Sequence, residues 1–134
     1  MAEISSWEKA LLLTRFALDK KAYDLVVLDV RELTSVADYF LICSGRSDRQ
    51  VQSIAQGVEE NAAYEAIRPY AVEGAQRGHW VLMDFSDVIV HVFYEPVREF
   101  YDLDGLWGHA PRMKLPEPYA RLVGQFQIAD ERFS

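Results

Sequence analysis

The sequence predicts an α/β domain, a mixed β-sheet of about five strands with helices packed on it. Three observations predict it. Residues 79–85 and 88–94 are β-rich runs separated by Ser86-Asp87, the pattern of a hairpin. Residues 24–30 and 38–44 are apolar runs joined by residues 31–37, too short a loop for a parallel crossover, so they pair antiparallel. From Ser47 an amphipathic stripe leads to a short run at 69–73, and a strand-helix-strand crossover of that length is parallel and right-handed.

Each element has its own signals. Ser5 with Glu8 has capping-box spacing, and Trp7, Leu11, Thr14 and Leu18 recur at helical intervals, so the first helix runs from about Ser6 to Lys20. Asp24–Val30 is nearly continuous in apolar residues, as a buried strand is. Asp38–Ser44 follows, Gly45 ends it, and Ser47 with Gln50 makes a second capping box. Val51, Ile54, Ala55, Val58 and Ala62 form one stripe, with Glu59 and Glu60 off it. Gly57 weakens that helix by roughly 1 kcal/mol relative to Ala. Beyond the hairpin, Pro96 suits a first helical position. Val97, Phe100 and Tyr101 are then the apolar side of a short helix, with Leu103, Leu106 and Trp107 continuing the packing. The stretch Ala110–Pro118, with its prolines, is expected to lie extended on the surface, and Gln125–Ser134 to fray.

A two-residue loop sets the hairpin register: Phe85 faces Val88, Asp84 faces Ile89, and so on to Trp80 facing Phe93. One face then holds Val81, Met83, Phe85, Val88, Val90 and Val92, a set suited to a core. The other holds Trp80, Leu82, Asp84, Ile89, His91 and Phe93. That second face is apolar but carries two ionisable groups, which a dry core rejects unless they are paired. It reads as a surface built to meet a partner.

Length and composition narrow the possibilities. The 134 residues make one domain with room for a core, and no apolar run approaches a membrane span. Residues 11–13 are too short and too near charge for a signal peptide or anchor. The single cysteine, Cys43, excludes an internal disulfide and suits a reducing cytoplasm. With 14 basic and 21 acidic residues the net charge is −7, which disfavours nucleic acid and favours a basic protein partner.

Candidate chemistry is sparse. Ser44-Gly45-Arg46-Ser47 precedes a helix N-terminus and could hold phosphate, but it lacks the glycines and lysine of a P-loop, so an ordinary turn is favoured. Asp84 and Asp87 flank the hairpin turn and would bind magnesium only if their carboxylates converge. Cys43, beside Ile42 in an apolar strand, reads as an inert buried thiol. His91 has no His or Cys partner at metal-ligand spacing, since His79 and His109 sit on other elements. No cofactor or metal site is expected.

The run Asp38-Tyr39-Phe40-Leu41-Ile42-Cys43-Ser44-Gly45-Arg46-Ser47, with Gln50-Val51 and Ser53-Ile54-Ala55, resembles the first signature of the ribosomal silencing factor family, RsfS, also called iojap. The second signature is matched by Glu73-Gly74, by Trp80 to Asp84, by Asp87 to Phe93, and by Arg98-Glu99-Phe100-Tyr101-Asp102-Leu103 through Leu106-Trp107. The blocks keep their order and spacing from about Leu12 to Arg112. The resemblance divides the chain into an RsfS-like domain, 1–112, and a less typical Pro-containing extension, 113–134.

It also implies a fold related in shape to nucleotidyltransferases, without enzymatic activity, in a bacterial cytoplasm. Family members bind the large ribosomal subunit through protein fourteen at its intersubunit face and so block subunit joining; organellar relatives assist large-subunit assembly. Carried onto this chain, the contact residues are Trp80, Leu82, Asp84, Asp87, Ile89 and His91. Two other readings stay open. One is a nucleotidyltransferase-like enzyme using Asp84 and Asp87 with magnesium; the other is a homodimer in which the Trp80 face meets its own copy.

Overall fold

The computed structural model describes residues 4–125. Helix α1 (Ser6–Asp19) starts where Ser5 Oγ accepts the Glu8 N–H at 3.1 Å, the N-cap half of the expected capping box; the Glu8 carboxylate returns to the Ser5 hydroxyl, also at 3.1 Å, rather than to its backbone N–H. Its buried side is broader than the expected stripe. Ala10, Leu13, Thr14, Phe16, Ala17 and Leu18 are buried, whereas Trp7 and Leu11 are only half-buried. The reason is that α1 lies among the sheet, a second helix and the C-terminal helix, so apolar contact comes from several sides.

Strand β1 (Tyr23–Asp29) pairs antiparallel with β2 (Tyr39–Gly45), as the short loop requires. The register shifts between Tyr23 and Val26, where Asp24 takes a left-handed φ of 48°. Helix α2 (Asp48–Tyr64) follows, with Ser47 Oγ accepting the Gln50 N–H at 3.1 Å. The return bond shifts by one residue: Gln50 Oε1 accepts from the Arg46 N–H at 2.6 Å. The stripe Val51, Ile54, Ala55, Val58 and Ala62 is buried as expected. At Gly57 an added Cβ would stand 2.6 Å from the Lys20 side chain, so the glycine leaves room for that side chain to lie on α2.

Strand β3 (Ala71–Glu73) pairs antiparallel with β4 (Trp80–Asp84), which pairs antiparallel with β5 (Val88–Tyr94). β5 lies parallel to β2, giving the order β1-β2-β5-β4-β3. β2 and β3 therefore run in the same sense, as expected, but two strands lie between them. The hairpin register agrees with the expected one from Trp80↔Phe93 to Asp84↔Ile89, and Phe85 donates its N–H to Val88 O at 2.9 Å. Ser86 takes a φ of 77°, a left-handed value that glycine would adopt more cheaply.

Two apolar clusters flank the sheet. The larger joins α1 and α2 to Val81, Met83, Phe85, Val88, Val90 and Val92. The smaller joins Phe40, Ile42, Ile89 and Phe93 to Leu103 and Ala110. Its cover is α3 (Glu95–Tyr101), α4 (Leu103–Leu106) and the turn after them, so this second layer spans only part of the sheet.

Three expectations are corrected in the last third of the chain. Pro96 is the second residue of α3, not the first. Phe100 and Tyr101 do not pack inward: they are 81% and 56% exposed, and Leu106 is also exposed. Val97 packs inward as expected, Arg98 takes the inward place beside it, and Asp102 at φ 49° breaks the path between α3 and α4, so Leu103 turns in while Leu106 turns out. The segment 110–118 is only partly a surface strap. Pro111 O accepts from Asp29 N–H and Met113 N–H donates to Val27 O, both at 2.8 Å, which caps the open edge of β1. Helix α5 (Tyr119–Gln125) then packs on α1 and β1 through Leu122 and Val123, an element the prolines concealed. The expected fraying of 125–134 falls, beyond Gln125, outside the described residues.

Candidate functional site

The second sheet face divides into a covered half and an open half. On β5, Ile89 and His91 lie under the second layer and are buried, His91 to 5% exposure. On β4, Trp80, Leu82 and Asp84 are half-buried, and on β3 Ala71 and Glu73, which pair with Asp84 and Leu82, are exposed. The expectation that Ile89 and His91 present themselves to a partner is therefore corrected. Alternation along a strand assigns a face, but α3, α4 and residues 107–110 folded over that face decide how much of it meets solvent.

Trp80 is the centre of the open half. Its ring stacks on Phe93 at 4.9 Å, Tyr101 of α3 lies against it at 5.1 Å, and Phe100 stands edge-on to Tyr101 at 5.1 Å. Its indole Nε1–H donates to His91 Nδ1 at 3.2 Å. Between β4, the turn around Gly74–Arg77 and α3 lies an open groove of about 420 Å³, with Trp80, Val97, Phe100 and Tyr101 in its wall. Phe100 and Tyr101 are the site residues that sequence reasoning missed. Spaced three and four residues after Val97, they have the pattern of a buried stripe, so nothing local marked them as exposed.

The two aspartates are engaged separately. Asp84 Oδ1 accepts the Ser86 N–H at 2.8 Å, a local turn bond on the Trp80 side. Asp87 is drawn to α1, where Lys9 Nζ approaches its Oδ1 to 2.7 Å and also donates to Phe85 O at 3.2 Å. Asp87 thus leaves the cluster that Trp80, Leu82 and Asp84 form. A magnesium ion on both carboxylates would have to displace the Lys9 ammonium. Among the described residues no group of three or more His, Cys, Asp or Glu side chains is placed to hold a metal ion.

The side chains of the strand-to-helix turn at 44–47 are engaged within the fold. Ser44 Oγ accepts from Arg98 Nη1 at 2.8 Å, Ser47 caps α2, and the Arg46 guanidinium lies 4.8 Å over the Tyr23 ring. Cys43 is fully buried, and burial pushes its thiol up to about 12, which leaves it protonated and unreactive. No described helix is long and apolar enough to cross a membrane.

Burial pulls the His91 imidazole down from 6.5 to about 4; Asp104, itself held by Arg98, pulls weakly the other way. The folded ring is therefore neutral at pH 7, whereas an unfolded one begins to take up a proton below 6.5. Stability is full above that value and falls as pH drops toward 4, because protonation favours the unfolded chain. Denaturant titrations should show His91 contributing a loss of about 2 kcal/mol between pH 7 and 5. That part of the slope should vanish in His91→Phe; equal slopes in both proteins would contradict the assignment.

Fold and face together define a small mixed-sheet α/β domain with one half-open aromatic face. Residues 3–132 match the family model described as ribosomal silencing factor during starvation. The chain belongs to the ribosomal silencing factor family. It is 47% identical over 93 residues to the ribosomal silencing factor RsfS of Bacillus subtilis (strain 168), spanning 69% of this chain and 79% of that protein. The fold is similar to a crystal structure of a Chromobacterium violaceum protein, with a TM-score of 0.77 and 31% identity, covering 87% of this chain and 98% of that one. More distantly it is 28% identical over 99 residues to the mouse protein named mitochondrial assembly of ribosomal large subunit protein 1, covering 72% of this chain and 43% of that one.

Proposed function

We propose that this domain represses translation by docking on the large ribosomal subunit and obstructing subunit joining, with Trp80, Leu82 and Asp84 as the contact. The observation that carries the reading is the half-open face itself. An aromatic side chain stacked from behind by Phe93 and flanked by Tyr101 remains available to solvent, with the Asp84 carboxylate further along the same strand face. Interface hot spots favour Trp inside a ring that excludes water, and neighbouring charges speed encounter and set register more than they add affinity. A net charge of −7 suits a basic receiving surface, which we assign to protein fourteen of the subunit's intersubunit face. Family membership and the mouse relative named for large-subunit assembly support the same target, and assistance in subunit assembly is a second role of the same contact.

In this reading the mechanism is steric and needs no turnover, cofactor or metal, and it operates in a bacterial cytoplasm. The bound domain fills volume that the small subunit requires. Residues 1–112 form the docking unit, with 113–134 as an extension. The described part of that extension lies on α1 and β1. β1 is three strands from β4, about 14 Å away at ordinary strand spacing, so this part leaves the Trp80 patch open. Asp87 has a supporting part through its pair with Lys9, which ties the hairpin tip to α1.

Co-sedimentation with separated ribosomal subunits tests the reading. Wild type should travel with large subunits, and a folded Trp80→Ala, Asp84→Arg double variant should remain at the top of the gradient. Loss of the Trp80 contact alone should weaken binding by about 2 kcal/mol or more, the threshold of a hot spot. Wild type that travels with neither subunit would discard the function; both proteins travelling equally would keep the target and discard the face.

A further inference from the structure

His91 lies beside Trp80 in the covered half of the same face, and its two ring nitrogens are in different situations. Nδ1 accepts the Trp80 indole N–H at 3.2 Å, while Nε2 is buried with no hydrogen-bond partner among the described residues. A nitrogen that accepts carries no hydrogen, so the neutral ring holds its proton on Nε2. That leaves a donor buried and unmatched, which costs stability, whereas a phenyl ring in the same place would leave none. The imidazole is therefore a worse core residue than its apolar equivalent. What it supplies instead is an acceptor aimed at Trp80.

The acceptor is fixed in place. Phe40 stands edge-on to the imidazole at 5.2 Å and 75°, and Phe93 lies nearly parallel to it at 6.3 Å and 13°. Turning the ring would disturb both contacts. Stacking on Phe93 restricts the plane of Trp80 but tolerates sliding and flipping of the indole, because one aromatic face resembles the other. A hydrogen bond to Nε1 selects one edge. We propose that His91 is a positioning residue for docking: from the covered half of the same sheet face it fixes the Trp80 indole in the orientation that the partner meets, without touching the partner. The proposal rests on the docking role of Trp80, and its physical basis is pre-organisation, since an anchor already held in its bound rotamer loses less freedom on association.

A double-mutant cycle of His91→Phe with Trp80→Phe tests it, read by binding to isolated large subunits and by the Trp80 indole N–H resonance in nitrogen-15-labelled protein. His91→Phe keeps a ring between Phe40 and Phe93 and removes both nitrogens. The variant should unfold no earlier than wild type, its Trp80 indole proton should exchange faster with solvent, and its affinity should fall by about tenfold, the size of one lost interface contact. In the Trp80→Phe background the same substitution should cost no further affinity, because the two residues act as one unit. His91→Asn, whose Oδ1 stands as many bonds from Cβ as Nδ1 does, should retain the indole's protection and most of the affinity; it carries the test should the Phe variant not fold. Equal losses in both backgrounds would overturn the proposal, as would faster indole exchange with unchanged binding. Wild type that fails to bind large subunits would remove the docking role, and the indole resonance would still decide whether His91 holds Trp80.

Discussion

Val90→Asp is expected to abolish the folded state. Val90 is fully buried at the centre of the larger cluster, paired across β4 with Met83 and across β2 with Leu41. The buried side chains of that cluster come mainly from α1, α2 and the inner sheet face, and no Lys or Arg is buried among the described residues. An ionised carboxylate there costs several kcal/mol in desolvation, and a protonated one still leaves polar atoms unmatched. Set against a total stability of roughly 5–15 kcal/mol for a small domain, a loss of about 5 kcal/mol removes cooperative folding at 37 °C. Far-UV circular dichroism with a denaturant titration measures it. Trp80→Ala on the opposite face should keep a sharp transition in the same assay. A folded Val90→Asp beside an unfolded Trp80→Ala would show that the two faces are inverted.

Arg98→Ala is expected to cost about 2–4 kcal/mol, somewhat below the range for removing one member of a fully buried charge pair, because Asp104 is only part-buried. Its guanidinium, with the side chain only 13% exposed, holds Asp104 by two bonds at 3.0 and 2.8 Å. The same group donates to Asp24 O at 2.7 Å and to the buried Ser44 Oγ at 2.8 Å. Burial pushes the Asp104 carboxyl up, but the Arg98 hydrogen bonds and charge outweigh it and hold the group below its ordinary value. Truncation would leave a carboxylate, a hydroxyl and a carbonyl without their donor at the joint between α3, α4 and the sheet. The urea midpoint should drop, and Asp104→Leu combined with Arg98→Met should cost clearly less than the sum of the two. Additive losses would show that the pair is not the fastening we describe. Such weakening should also loosen Leu103 and Trp107, which close over Phe40.

Local rules carried the chain as far as two layers and a register. A two-residue loop and strict alternation determined, before any coordinates, which hairpin residues oppose one another, because side-chain direction along a strand depends only on position in the pleat. Capping spacing likewise located the starts of α1 and α2, and the α2 stripe identified its buried side. The ribosomal silencing family was also legible, because its signature blocks survive in order along the primary structure.

Tertiary structure decided what lies over the second face. Nothing in the alternation of β5 distinguishes Ile89 and His91 from residues in open solvent; their burial depends on α3, α4 and residues 107–110 folding back from elsewhere in the chain. The inward place of Arg98 was hidden for a related reason. A charge reads as exposed until partners as distant in sequence as Asp24 and Ser44 converge on it, and only the assembled sheet brings them there. The same folding turned Phe100 and Tyr101 outward beside Trp80. The sequence by itself determined which residues share a face, and only the packing of distant segments determined which of them a partner can touch.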